Sequence, residues 1–582
     1  MYWRKAGLLP VLLVLASCNR GTSSADIEKF RQDFIETYLA MSPVNATQSG
    51  LHNYQGVNLD GILDDYSEKG VRGFRVFYNS MHVSADKLDS PTLAPEARED
   101  LDLIRQTCEA QLLDLDQIQI YRHNPTMYVE LIGNAINGPF TLAYAPEAKR
   151  FQQIISRLNK IPHFLDVATT NLVDSPEVWN AVAQSENNGN IDLIDNQVRA
   201  KVPAALKARY DSAAAQAITA LRSFNAWLAG TLKGHSSNWR LGPDLYRRKF
   251  GYTLANGDTP ETMLNAAESK LYDIRGEMRA EAATLWPKYF PTRKAPSDEQ
   301  ELVSAVLGKI ALDHTTPDKF FDVAKADVAQ ATQFVRAHRL LMLPGLNNLQ
   351  VVPTPEFMRG VYGVAGFQPA PPLEPSLGAF FWITPFDPAM PKADVESKLR
   401  EYNKWGLETI VLHEAVPGHF VQFQYSNTVE PRSRAVLREV LSNGPYVEGW
   451  AVYATQLMVE QGFDASPEMK LTFDKQMLRV VANAILDIKM QTQGMTDQDA
   501  LDLMIHQTFQ EREEAVAKLQ RAKLTSCQLP TYFAGWQAWL KLRTMYRQKL
   551  GSAFDLARFH DVALKEGALP MPAVTRLIQN PR

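Results

Sequence analysis

Apolar residues recur at intervals of three and four along most of this chain, with polar residues filling the positions between them. That period fits amphipathic helices packed on one another and does not fit alternating βαβ units. The stretch "DIEKFRQDFIETYLAMSP" shows it and ends in a Ser-Pro stop. The pattern returns in "REDLDLIRQTCEAQLLDLDQIQIY", in "AKRFQQIISRLNKIPHFLDVA" and in the long "VPAALKARYDSAAAQAITALRSFNAWLAGTL". In "TPETMLNAAESKLYDIRGEMRAEAATLW" a start signal is added: Thr259 can cap, Pro260 takes the first helical position and Glu261 follows. "SDEQELVSAVLGKIAL" and "TPDKFFDVAKADVAQATQFVRAHRL" continue the series.

Between about Leu341 and Lys392 the texture changes. Pro and Gly crowd the segment, and the apolar run "AFFWI" inside it predicts a strand or two among ordered loops. Helix resumes at about Ala393 and runs, with breaks, to the C-terminus. No repeat or flexible linker divides the chain. The expected fold is mainly α: one large helical body over 26–582 with a small strand-containing insertion. If it divides, it divides into two lobes about a cleft, near 26–340 and 341–582.

The first residues follow a different rule. "MYWRKAGLLPVLLVLASC" joins two basic residues, Arg4 and Lys5, to an apolar run too short to span a bilayer, as in an export signal over 1–17. "LASC" resembles a bacterial lipobox, which implies lipidation of Cys18, and the polar "NRGTSSAD" fits a tether over 18–25. Asn19 after the cysteine fits sorting to the outer membrane, so the expected location is the periplasm, lipid-anchored. Ordinary soluble export is the alternative.

Composition narrows the function classes. The chain has 582 residues, with 61 basic and 65 acidic side chains and a formal charge of −4. No Lys/Arg-rich block or zinc-knuckle spacing appears, so nucleic acid is excluded as a partner. Cys108 and Cys527, the other two cysteines, are far apart and read as buried thiols.

Candidate chemistry begins at "VLHEAVPGHFVQ". His413 and Glu414 start like the zinc-peptidase helix motif, but its second histidine position is Pro417, and the next histidine is His419. On an ideal helix these two histidines point about 120° apart. Pro417 clashes with the carbonyl one turn earlier, and Gly418 can take angles closed to other residues. Together they should kink or widen the helix and swing His419 back beside His413. Otherwise "AVPG" merely ends one helix and the histidines are unrelated. Downstream, "NGPYVEGWAVYATQLMVE" places Glu448 near a helix start among core-type neighbours. Such a glutamate is either paired or metal-bound, or else a solvated first-turn residue.

"HEAVPGHFVQ" followed by "EGWAVYA" resembles the DUF885 family of bacterial proteins, many of them lipoproteins, within the clan of zinc peptidases that use Glu as third ligand. "NWRLGPDLYRRKF", "TPEFMRGVY" and "FHDVALKEGALPMPAVTRLI" extend the resemblance over most of the chain. It implies a helical oligopeptidase- or carboxypeptidase-like fold with a central cleft, zinc held by His413, His419 and Glu448, and Glu414 as general base. In those roles zinc acidifies a water, and Glu414 carries its proton to the leaving amine of a short peptide.

The segment "RAKLTSCQLPTYFAGWQAW" resembles the family's Arg-Tyr…Pro-Gly-Gln…Tyr…Gly and aligns Arg521, Gln528, Tyr532 and Gly535. Tyr532 is then the oxyanion donor, with Gln528 and Arg521 on the substrate; an aromatic packing stripe is the alternative for Tyr532. Near "NAILDIKMQTQGM" the chain keeps the family's Asp487, taken as substrate-binding, but has Lys489 for Gly and Gln491 for His. Ala522, Ser526, Cys527 and Phe420 also depart from the pattern. Arg359, Arg479 and Arg521 are candidate carboxylate clamps. The competing function is an inactive peptide-binding or structural lipoprotein on a relic peptidase fold.

Overall fold

The first helix, Ser24–Ala40, is closed by a reciprocal cap: the Ser23 hydroxyl accepts from the Asp26 amide, and the Asp26 carboxylate accepts from the Ser23 amide. Helix therefore claims the end of the expected tether. The computed structural model describes residues 22–345, 348–359 and 362–579; the export signal and Cys18 lie outside them. Helices then dominate, as expected. Thr259 caps Pro260–Tyr289, and Thr262 completes the reciprocal cap. The stretch 148–168 forms two helices, Glu147–Leu158 and Ile161–Asn171, because Pro162 lacks the amide that a continuous helix would need.

The Pro/Gly-rich segment holds a three-stranded sheet, one strand more than expected at most. Ala379–Ile383 ("AFFWI") is its centre, parallel to Leu349–Pro353 and antiparallel to Ala365–Gln368. All five central residues are buried, and the two outer strands are less so, which is why only the centre showed as an apolar run. A second, two-residue hairpin pairs Asn53–Tyr54 with Val57–Asn58. It is too short to leave a period in the sequence. Among the described residues no helix is long and apolar enough to cross a membrane.

One hydrophobic core extends from Ile27 to Ile578, and a second gathers Tyr128 to Leu232 around Phe357 of the Pro/Gly-rich segment. Inside the first, Asp100 is 1 % exposed and carries Arg31, Arg434 and Arg438. This ties the N-terminal helices to Arg432–Val440, the helix that leads into the Glu448 segment. Asp100→Asn leaves three guanidinium groups facing a neutral amide. We expect a loss of about 3 kcal/mol of unfolding free energy, read from a denaturant midpoint. A shift below about 1 kcal/mol would show that the cluster contributes little.

Candidate metal centre

The helix Lys404–Glu414 begins at Asn403, whose side chain accepts from the amides of Trp405 and Gly406, each at 3.2 Å. It ends at Glu414. Ala415 still bonds back to Val411, the Val416–Pro417 peptide is cis, and a new helix, His419–Ser426, starts at the second histidine. The expected kink is thus a complete break. Its cause is steric, since Pro417 cannot continue the helix and Gly418 tucks against the helix end. A Cβ on Gly418 would lie 1.8 Å from the His413 carbonyl oxygen. The indole of Trp450 donates to the Pro417 carbonyl at 2.9 Å and holds the return in place.

This return brings the two imidazoles together, with ring centres 4.8 Å apart and planes at 85°. Phe367, on the strand Ala365–Gln368, stacks on His419 from behind at 6.3 Å. The third group comes from Gly444–Glu460, capped by Asn443, which accepts from the Tyr446 amide. Glu448 Oε2 lies 3.6 Å from His413 Nε2 and 3.4 Å from His419 Nε2. One ligand atom from each of the three residues lies within 4.8 Å of the others. Among the described residues no other group of His, Cys, Asp or Glu converges this way.

Electrostatics follow from this convergence. Burial by itself would raise the Glu448 carboxyl, but the close approach and charge of His413 and His419 outweigh it and hold it well below the usual range. Burial lowers His419, and the Glu448 carboxylate more than offsets it, so His419 is raised. Glu448 Oε2 and His419 Nδ1 are nonetheless buried without hydrogen-bond partners. Buried polar atoms are rarely left so. Two imidazole nitrogens and one carboxylate oxygen are a donor set of the kind that suits zinc. The side chains of His413 and Glu448 stay 21 % and 19 % exposed, so the site is reachable from solvent.

Glu414, half-buried beside the first ligand, makes no hydrogen bond or ion pair with any described residue. Its charge is felt by His419 and by the Tyr362 hydroxyl. Tyr532 arrives on Pro530–Leu550, which crosses Gly444–Glu460 with Gly535 against Gly449. A Cβ on Gly535 would sit 1.9 Å from the Pro445 carbonyl oxygen, so only glycine permits this approach. One turn earlier on that helix, the Tyr532 ring stacks 6.2 Å from His413. Its hydroxyl accepts from Arg521 at 3.2 Å and from Gln528 at 3.4 Å. With both lone pairs engaged, its own proton is free to donate outward. Burial and the Glu448 charge push the phenol up to about 12, so it stays protonated at neutral pH.

Other expected site residues take supporting positions. Asp487 is fully buried, accepts from the Tyr246 hydroxyl at 2.7 Å and the Cys527 amide at 2.8 Å, and is pushed up to about 6 by burial. Its contact to the Cys527 amide fixes the turn before Gln528. Gln491 accepts from the Leu241 amide at 2.9 Å and donates to the Thr525 carbonyl at 3.3 Å, bracing the same turn. Lys489 pairs outward with Glu268. Arg479 is bound to Glu514 and to the Tyr402 hydroxyl, and Arg359 to the Thr354 carbonyl. Of the three candidate clamps, Arg521 alone joins the site. Cys108 and Cys527 are buried free thiols.

Sequence reasoning missed Tyr362 as a site residue. The hydroxyl of its half-buried side chain is raised by burial, with charge from Arg521, Glu414 and Glu448 also acting on it. The only signal was its place in "TPEFMRGVY", a segment with no periodicity.

The chain is 28% identical to a protein from Shewanella oneidensis described as a "putative lipoprotein of unknown function", whose solved structure matches with a TM-score of 0.79 over 95% of this chain and 100% of that one. The structure of a "putative lipoprotein" from Colwellia psychrerythraea shares the fold at 18% identity and a TM-score of 0.77, covering 95% of this chain and 98% of that one. No curated protein matches the chain. Residues 43–578 match the family described as "Bacterial protein of unknown function (DUF885)", and the chain belongs to that family.

Proposed function

We propose that this protein hydrolyses peptide bonds in short peptides with zinc held by His413, His419 and Glu448. The observation that carries the reading is the convergence of these three side chains around a buried carboxylate oxygen that lacks a hydrogen-bond partner. Bound there, zinc supplies Lewis acidity and a water of lowered pKa. Glu414, next to the first ligand in sequence, would accept the proton of the attacking water and pass it to the leaving amine. Tyr532 donates its hydroxyl proton in a hydrogen bond to the oxygen that gains negative charge. Gln528 and Arg521 hold the Tyr532 hydroxyl by its lone pairs and so aim that donor. The same reading places the protein in the zinc-peptidase clan and in the periplasm, anchored to the outer membrane by lipid on Cys18. The lipobox-like "LASC" and the description of the Shewanella oneidensis relative support the anchor.

Metal analysis of protein purified without added zinc tests this directly. We expect close to one zinc per chain and cleavage of a pool of short peptides. Chelation should abolish cleavage, and added zinc should restore it. Stoichiometric zinc with no cleavage of any pool member would point to a binding protein on a peptidase fold. A chain that takes up no zinc would overturn the reading.

A further inference from the structure

The helix Arg512–Leu524 carries two cations into the interior one turn apart, Lys518 and Arg521. Lys518 is 5 % exposed, and Arg521 is bonded to Tyr532 and Gln528 through one terminal nitrogen. Around them stand Arg479, Lys475, Glu401 and Glu514. Glu514 is engaged on both oxygens, and Glu401 on Oε2, while Glu401 Oε1 is buried without a hydrogen-bond partner. Glu514 takes Arg479 and, at 2.6 Å, the Tyr402 hydroxyl. Glu401 takes Lys475 at 2.7 Å and the Glu511 amide at 2.9 Å.

Lys518 and Arg521 make no ion pair with a carboxylate among the described residues; Glu514 and Glu401 act on Lys518, and Glu448 on Arg521, only through charge at longer range. Lys518 forms no ion pair or hydrogen bond with any described residue. Burial, aided by Arg479 and Arg521, pushes its ammonium pKa well down. A buried cation without a counter-ion is costly, and chains rarely keep one without a use. Lys398 extends the positive side: it donates to the Gly363 carbonyl at 2.9 Å and has no carboxylate partner among the described residues.

We propose that Lys518 and Arg521 form a carboxylate subsite that recognises an anionic end or side chain of the peptide. The subsite adjoins the metal centre, since Arg521 is one hydrogen bond from Tyr532 and Tyr532 stacks on His413. It rests on the peptidase reading only for the identity of the ligand as a peptide. Its physical basis is charge balance: cations outnumber carboxylates around this helix, and a carboxylate entering here supplies the direct ion pair that Lys518 and Arg521 do not make. Arg521 offers a planar donor fork for it, and Lys518 a point charge. A peptide whose terminus is bound here presents a bond near that terminus to the metal centre, so the substrate class is peptides cut close to a free carboxyl end.

The test uses the full zinc-loaded chain and three tetrapeptide pools: free acids, C-terminal amides, and amides with Glu at the last position. Binding is measured on Glu414→Gln protein, alone and combined with Lys518→Met or Lys518→Arg, and hydrolysis on the wild type. We expect free acids to bind at least tenfold more tightly than amides. Lys518→Met should reduce that preference below twofold, and Lys518→Arg should retain most of it. Glu-terminated amides binding like free acids would identify a side-chain carboxylate as the ligand; binding like plain amides would identify the terminus. Equal binding of acids and amides, a preference that survives Lys518→Met, or no binding of any pool overturns the subsite. Hydrolysis of acids and amides alike would overturn the subsite while leaving the peptidase reading intact. Preferential binding of acids without hydrolysis would do the reverse. Melting curves of both variants confirm that each remains folded.

Discussion

Glu414→Gln is expected to lower kcat for peptide hydrolysis by about 10⁴-fold while leaving zinc content and thermal stability unchanged. Gln keeps the size and shape of the side chain but cannot accept and return a proton. Because Glu414 makes no hydrogen bond or ion pair with a described residue, its replacement disturbs no structural partner. It is half-buried at the last position of its helix, so the stability change should stay within about 0.5 kcal/mol. The measurement pairs steady-state kinetics with metal analysis on the same preparation. Turnover within tenfold of wild type would move the general base elsewhere and remove the role assigned to Glu414. Lost turnover together with lost zinc would instead make Glu414 a structural support of the metal ligands.

The helices were legible in the sequence because each buries one stripe of residues, and a stripe leaves a period. Pro260–Tyr289 could be bounded at its start because Thr259 and Pro260 act locally, on their own backbone. The sheet was only partly legible. Ala379–Ile383 is buried on both faces and shows as an apolar run, while its neighbours owe their strand form to pairing with it. The convergence of His413, His419 and Glu448 was legible in its residues and less so in its backbone. Pro417 and Gly418 announced a disturbance, yet a full break into two helices depends on Trp450 fixing the Pro417 carbonyl from a distant helix. Asp487 shows a further limit. Its family pattern marks it as important, but only the three-dimensional partners Tyr246 and Cys527 show that it supports a turn. Lys518 left no sequence signal at all, because a lysine on an amphipathic helix ordinarily faces water.

Gly418→Ala should be the most damaging single-methyl change near the site, weakening zinc binding on the order of 10³-fold, as expected for losing one protein ligand of three. The requirement for glycine at 418 includes one of space. The new Cβ would lie 1.8 Å from the His413 carbonyl oxygen and 2.5 Å from that of Leu412. Both are backbone atoms, so no side-chain rotation relieves the overlap. Either the end of Lys404–Glu414 or the return into His419–Ser426 must move. Either shift separates His419 from Glu448, which now lie 3.4 Å apart at their facing atoms. Helix content should survive, because this loop supplies only Ala415 and Val416 to a core that extends from Ile27 to Ile578, and the Asp100 cluster lies outside it. Gly251→Ala is the matched control: it sits in a helix with nothing within 4 Å of an added Cβ and should be neutral or slightly stabilising. Zinc affinity and circular dichroism on both variants decide the matter. Wild-type zinc affinity in Gly418→Ala would mean that the tight turn is incidental to the site. Lost affinity with intact helicity would show that His419 reaches the metal only because residue 418 has no side chain.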